Sequence, residues 1–434
     1  MEYLSKVIAS LAASHSQYHV IARLEEELKK AGFCELKEGE SWALAGNSSY
    51  FVKRNDSSLI AFRLPNDTSS LSFHISATHS DSPSFKIKPN PLTVSGDLMM
   101  LQTEPYGGAI YRSWMDRPLS FAGRVLYADE SGIHTRLLDI DEDLLDIPSL
   151  CIHLGREVNN NGALDPATDL IPIFGTVEEG FDFDDYISKK AGLKENETLI
   201  SYDLYLYLRE QPRFVGCHHE FLLCPREDDL ASVYSSFYGF LDAANDSNAS
   251  MFCCFDNEEV GSLTRQGARS TFLKDVFNRI CSCFGMAKEE AASRSFLLSI
   301  DNGHAIHPNY KNMMGEGVKV NMNDGIVIKY NANQSYTTDG LSSSLLHSLA
   351  AKAKLRVQEY TNRADLKGGS TLGNLSNGEI SFLSGDIGLP QLAMHASNEL
   401  LGALDIVDMC EFCKEYYSTY FLISGSDILF SKTK

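Results

Sequence analysis

Apolar residues recur at helical spacing near the start of the chain. Leu4, Val7, Ile8 and Leu11, then Val20, Ile21, Leu24 and Leu28, predict helix between Tyr3 and Leu36. Gly32 is placed to close the second helix. Short β-like runs follow, Tyr50-Phe51-Val52 and Ser58-Leu59-Ile60-Ala61-Phe62, parted by the turn signal Arg54-Asn55-Asp56-Ser57. Leu71 to Ala77 predicts another strand, ending at Thr78-His79-Ser80-Asp81. From Lys86 to Cys224 the texture changes to short strands punctuated by Gly and Pro. Helix–strand alternation returns from Asp229. The pattern predicts an α/β domain built from residues 1–85 and 225–434, interrupted by a β-rich insertion at 86–224. A length of 434 residues exceeds what one hydrophobic core usually supports, which fits two domains.

Charge removes one class of partner. With 38 basic against 58 acidic side chains the net charge is −20, which opposes the counterion displacement that nucleic-acid binding requires. An acidic ligand would need a local basic residue to be accepted. No apolar run reaches the roughly 18 residues of a membrane span, and the first residues do not read as a cleavable leader. Ten cysteines in so long a chain are not a disulfide framework; free thiols fit a reducing cytoplasm. Cys410 and Cys413 form the sole CxxC, inside a stretch that reads as helix, and are expected to be thiols rather than zinc ligands.

Three apolar strands stop at an imidazole or a carboxylate. One ends at His79-Ser80-Asp81. The second, Met251 to Phe255, runs into Asp256-Asn257-Glu258-Glu259. The third, Ser295 to Ile300, runs into Asp301. In an open parallel sheet the ligand crevice lies beyond the carboxyl ends of the strands, so these groups are expected to converge. Singly, each has an ordinary reading: a chance His-x-Asp, a solvated Glu pair, a capping Asp. Together they offer nitrogen and oxygen ligands, which suit zinc, with manganese or cobalt as substitutes. One imidazole with several carboxylates exceeds one tetrahedral ion. Two metals sharing a carboxylate would use them all, as in two-metal hydrolytic sites. Asp81 is positioned to accept the other N–H of the His79 ring. Of the Glu258-Glu259 pair, one can bind metal while the other takes a proton from water.

Longer segments carry a resemblance. Thr78 to Pro83, Tyr106-Gly107-Gly108 with Trp114 to Arg117, Phe255 to Ser262, Ala305 to Tyr310 and Gly388 to His395 resemble, in order and over essentially the whole chain, the M18 metallopeptidases, the aspartyl aminopeptidase family. The resemblance implies a di-zinc aminopeptidase fold, a mixed sheet flanked by helices, whose inserted β-rich domain makes dimer contacts within a dodecamer. It implies two zinc ions. One would be held by His79, Asp228 and Asp301, the other by Asp228, Glu259 and His395, with Glu258 as general base. Two departures flank the shared aspartate: Glu227 stands where the family has an apolar residue and Asp229 where it has Asn. Gln17 stands where relatives often carry Pro. The resemblance further implies that His304 hydrogen-bonds the tetrahedral intermediate and that His153 reaches a neighbouring subunit's active site. Lys329, in Ile326-Val327-Ile328-Lys329-Tyr330, with Tyr336 downstream, would meet an acidic substrate side chain. The expected substrates are peptides with a free N-terminus. A preference for neutral residues, a related di-zinc deacylase or carboxypeptidase, and a catalytically silent scaffold remain as alternatives.

Overall fold

The computed structural model describes residues 2–430 apart from 161, 245, 246, 367 and 370. The first apolar stripe forms two helices, Glu2–Ala12 and Gln17–Lys30, which bury Leu4, Val7, Leu11, Val20, Ile21, Leu24 and Leu28. The helical pattern does not extend to Leu36. Gly32 turns the chain with φ +82°, a left-handed conformation open to glycine, and Cys34–Leu36 is a strand.

A nine-stranded sheet forms the centre. Its spatial order is Cys34–Leu36, Ser49–Arg54, Ser58–Arg63, Ala249–Phe255, Phe73–His79, Phe296–Ile300, Leu383–Gly388, Ile326–Tyr330 and Val357–Thr361. The four middle strands from Ala249–Phe255 to Leu383–Gly388 are mutually parallel, while Ser58–Arg63 and Ile326–Tyr330 join them antiparallel. The sheet is therefore mixed, flanked by helices on both faces. Strands buried on both faces read as continuous apolar runs because alternate residues serve opposite cores. Phe252 and Cys254 pack toward the core that holds Glu227–Asp242 and Ala403–Ser418; Met251, Cys253 and Phe255 pack toward the core that holds Phe272–Cys283. Cys410 and Cys413 are buried thiols on the Ala403–Ser418 helix.

Helices Glu227–Asp242 and Ala403–Ser418 approach closely at Gly239. A Cβ there would stand 2.6 Å from the Cys410 carbonyl oxygen and 2.7 Å from Cys413 Cβ. Gly239→Ala is thus expected to lower stability by about 1–3 kcal/mol through overpacking, read as a lower urea midpoint with unchanged slope.

A second, six-stranded sheet is ordered Gly132–Asp139, Leu119–Asp129, Thr198–Leu208, Ser84–Ser95, Leu98–Tyr106 and Ile173–Thr176. It has its own core, including Phe85, Leu101, Phe121, Leu204 and Leu206. A third sheet pairs Phe221–Cys224 with Glu399–Gly402, which continues through Pro390–Leu392 to Gly303–His304. Among the described residues, no helix is long and apolar enough to cross a membrane.

Candidate metal centre and active site

The parallel strands Phe73–His79, Ala249–Phe255 and Phe296–Ile300 end side by side, which brings His79, Glu258, Glu259 and Asp301 to one crevice. Asp228 enters from the start of the Glu227–Asp242 helix, where its own backbone is non-helical. His395 enters from the connection between Pro390–Leu392 and Glu399–Gly402, held at φ +67°. These six side chains, with His304, Lys329 and Tyr336, line one cleft of about 500 Å³.

Asp228 turns one oxygen to each side. Its Oδ1 lies 4.0 Å from His79 Nε2, which is 3.9 Å from Asp301 Oδ1. Its Oδ2 lies 3.3 Å from His395 Nε2, which is 3.4 Å from Glu259 Oε1. Two groups with metal-ligand spacing therefore share Asp228: His79, Asp228, Asp229 and Asp301, then Asp228, Glu259 and His395; a third joins His79, Glu258 and Glu259. Of the two neighbouring aspartates, only Asp228 belongs to both. Asp229 instead accepts the His79 main-chain N–H through Oδ2 at 3.2 Å, a bond the family's Asn could equally accept.

The buried oxygens Asp228 Oδ1 and Asp229 Oδ1 have no hydrogen-bond partner. A buried acceptor left unpaired is costly, and bound cations would satisfy such oxygens. The donor set of imidazole and carboxylate fits zinc. Charge crowding points the same way. Burial first, then Asp301, Asp81 and Asp228 against the opposing His79, push the Glu258 carboxyl up to about 8. Burial pulls His395 down, but Asp228 and Glu259 outweigh it and raise the ring to about 10. At His79 the same contest, burial against Asp81 and Asp229, also ends well above the ordinary imidazole value. The metal-free cluster thus holds protons where cations would sit.

The Asp81 arrangement differs from the sequence expectation. His79 Nδ1 pairs with the Asp81 carbonyl oxygen at 3.0 Å, with the carboxylate further away at 3.5 Å. The carboxylate instead accepts the main-chain N–H groups of Glu258 and Glu259, at 3.1 and 3.2 Å. The strand ends at His79, so two residues on the chain has turned toward the Asn257–Val260 turn.

Lys329 is buried, not an exposed strand residue. Its Nζ donates to the Asp301 carbonyl at 2.7 Å and stands 3.6 Å from Asp301 Oδ2, with the Tyr336 ring centre at 5.1 Å. Burial, then Lys329, lower the His304 ring below its ordinary value. His153 lies on an exposed stretch and is not among the residues lining this cleft. Glu227 is fully buried with both oxygens unpartnered, and burial, reinforced by Glu399, pushes its carboxyl well up.

One residue escaped sequence reasoning. Glu399 is buried and clamps two ligand backbones: its Oε2 accepts the Asp228 N–H at 2.9 Å and its Oε1 the His395 N–H at 2.6 Å. Burial and Asp228 raise its carboxyl to about 8. Its partner at residue 228 is distant in sequence, so no local spacing could have signalled it.

A carboxylate placed between two acid–imidazole groups is compatible with the two-metal sites of hydrolases. The family model described as Aminopeptidase I zinc metalloprotease (M18) matches residues 10–417, and the chain belongs to that family of peptide hydrolases. A probable M18 family aminopeptidase 2 from Clostridium acetobutylicum is 38% identical over 428 residues, covering 96% of this chain and 99% of the relative. Ape4, in its complex with Nbr1, superposes with a TM-score of 0.92 at 31% identity, covering 96% of this chain and 85% of that one. The S. cerevisiae mApe1 dodecamer shares the fold at TM-score 0.83 and 24% identity, covering 95% and 96%.

Proposed function

We propose that this chain is an aminopeptidase that works with two zinc ions, removes one residue at a time from peptide N-termini and prefers Asp or Glu there. The observation that carries the reading is the division of the two Asp228 oxygens between the His79–Asp301 and the Glu259–His395 groups. His79, Asp228 and Asp301 would hold one ion, and Asp228, Glu259 and His395 the other. Manganese or cobalt would suit the same donors. Bound there, the pair would supply Lewis acidity and a water acidic enough to deprotonate near neutral pH.

The protein's own part is positioning and proton transfer. Glu258, lining the cleft without a place in the two shared groups, accepts the proton of the attacking water and returns it to the leaving amine. Asp81 fixes the Glu258 and Glu259 main chain and so aims the two carboxylates. His304 donates to the oxygen that gains charge as the carbonyl is attacked. A carboxylate of the cleft receives the substrate's α-ammonium group, limiting cleavage to one residue.

Lys329 supports acidic selectivity: it is a cation buried in the lining of a cleft otherwise rich in carboxylates. Because its Nζ also holds the Asp301 carbonyl, Lys329→Ala should reduce turnover of every substrate. The ratio of kcat/KM for Asp- over Leu-p-nitroanilide isolates specificity. It should fall by about 10- to 100-fold, the worth of one charge-assisted hydrogen bond. An unchanged ratio would favour the reading with neutral preference. Assaying the same panel with and without chelator and with N-terminally blocked substrates tests the aminopeptidase reading itself.

The remaining assignments extend this proposal. The 86–224 segment, whose strands form most of the second sheet, is proposed as an inserted dimerisation domain. The assembly is a dodecamer like that of mApe1, with His153 reaching a neighbour's cleft. The free cysteines fit a cytoplasmic setting.

A further inference from the structure

The loop that carries Glu258 and Glu259 is held from outside the nine-stranded sheet. Tyr106, the last residue of the Leu98–Tyr106 strand in the second sheet, donates its hydroxyl hydrogen to Asp81 Oδ2 at 2.8 Å. The Tyr106 hydroxyl oxygen in turn accepts a hydrogen bond from Asn257 Nδ2 at 2.8 Å. Asn257 immediately precedes the Glu258–Val260 turn and has a left-handed backbone, φ +61°. Its own Oδ1 is fixed by Thr264 Oγ1 at 2.8 Å and Gln266 Nε2 at 2.9 Å. One phenol therefore joins the carboxylate that grips the Glu258 and Glu259 amides to the side chain that sets up their turn. Its ring is braced edge-on against Tyr205 of the same sheet, centroids 5.3 Å apart.

The residues that follow Tyr106 continue the attachment. A Cβ on Gly107, φ +71°, would come within 3.0 Å of Glu259 Cβ, so the strand end approaches that carboxylate as closely as packing permits. The Gly108 carbonyl faces His395 Nδ1 at 3.2 Å, and the Ile110 N–H donates to the His395 carbonyl at 2.9 Å. The Gly108 contact fixes the Nδ1–H tautomer and leaves Nε2 free toward Asp228 and Glu259. Tyr106 is not among the residues that line the cleft.

We propose that Tyr106 is a positioning residue for the reaction: its hydroxyl, delivered by the second sheet, locks Asp81 and Asn257 and thereby aims Glu258 and Glu259. The proposal rests on the two-metal aminopeptidase reading. Removing the hydroxyl leaves Asp81 and Asn257 each short of a partner, and the turn they share gains freedom. Changes to groups that support ligands from behind typically cost 10- to 100-fold in activity or metal affinity.

Four zinc-loaded proteins test it: wild type, Tyr106→Phe, Asp81→Asn and the double variant, with Glu258→Gln as a reference for the underlying reading. Two quantities are measured, steady-state kinetics and the rate of zinc release to a colorimetric chelator. Tyr106→Phe should lower kcat about 10- to 100-fold with KM within about twofold of wild type, and should release zinc faster by a similar factor. The double variant should lose less than the product of the two single losses, because both changes act on the shared Tyr106–Asp81 bond. Wild-type kcat and zinc release in Tyr106→Phe would overturn the proposal, as would losses that multiply in the double variant. If wild type is active and Glu258→Gln is not, failure of Tyr106→Phe to differ from wild type counts against Tyr106 alone. An active Glu258→Gln would count against the underlying reading.

Discussion

Glu258→Gln is expected to lower kcat by about two to four orders of magnitude while zinc content and KM stay near wild type. The substitution keeps the shape of the side chain and removes the basic oxygen. Glu258 lies within ligand spacing of His79 and Glu259 but belongs to neither group that shares Asp228, so its replacement should leave those ligands in place. Its surroundings are what a proton carrier requires: burial and three nearby carboxylates raise its affinity for a proton, so a proton taken from water can be passed to the departing amine. Metal analysis alongside steady-state kinetics checks both halves. Loss of zinc together with activity would make Glu258 a ligand instead.

Asp228→Ala should be more damaging still, because one side chain faces both groups. The variant is expected to bind neither ion tightly, to be inactive, and to show no zinc-dependent rise in Tm. Wild type at a hundredfold excess of zinc over Kd gains about 2.7 kcal/mol from binding alone. Zinc uptake should also release protons. In the metal-free protein the His395 ring, pushed up to about 10, and the Glu258 carboxyl, at about 8, both hold protons at pH 7. A ligating imidazole must be neutral, so zinc affinity falls as pH drops below these values and rises with increasing pH toward them. Calorimetry in buffers of different ionisation enthalpy measures the proton count. In Asp228→Ala the released protons should vanish with the binding.

The sequence shows its chemistry best where polar residues interrupt apolar strands. His79, Glu258, Glu259 and Asp301 were legible because each ends a buried strand, and parallel neighbours must end together. Asp228 and His395 were not legible that way. One sits at a helix start and the other in a connection between short strands, so only the family motifs pointed to them. Glu399 had no signal at all, and Tyr106 stood only within a family motif with no role attached, since each acts through partners that the fold brings together from distant stretches of chain. Lys329 was ambiguous for another reason: a lysine ending an apolar strand reads the same exposed or buried, and only the neighbouring Asp301 carbonyl decides it. Asp81 was legible in part: its carbonyl and carboxylate face His79 Nδ1 at 3.0 and 3.5 Å, but the carboxylate also holds the Glu258 and Glu259 amides, which spacing did not signal. Gly32 closes the second helix as its position predicted, and the apolar residues beyond it enter a strand.

Anomalous diffraction at the zinc edge, from crystals of the zinc-loaded protein, tests the shared role of Asp228 most directly. The expected map has two peaks about 3.5–4 Å apart, one bound by His79 and Asp301, the other by Glu259 and His395, each meeting one Asp228 oxygen. A single peak, or a pair in which Asp228 contacts only one ion, would contradict the two-metal account.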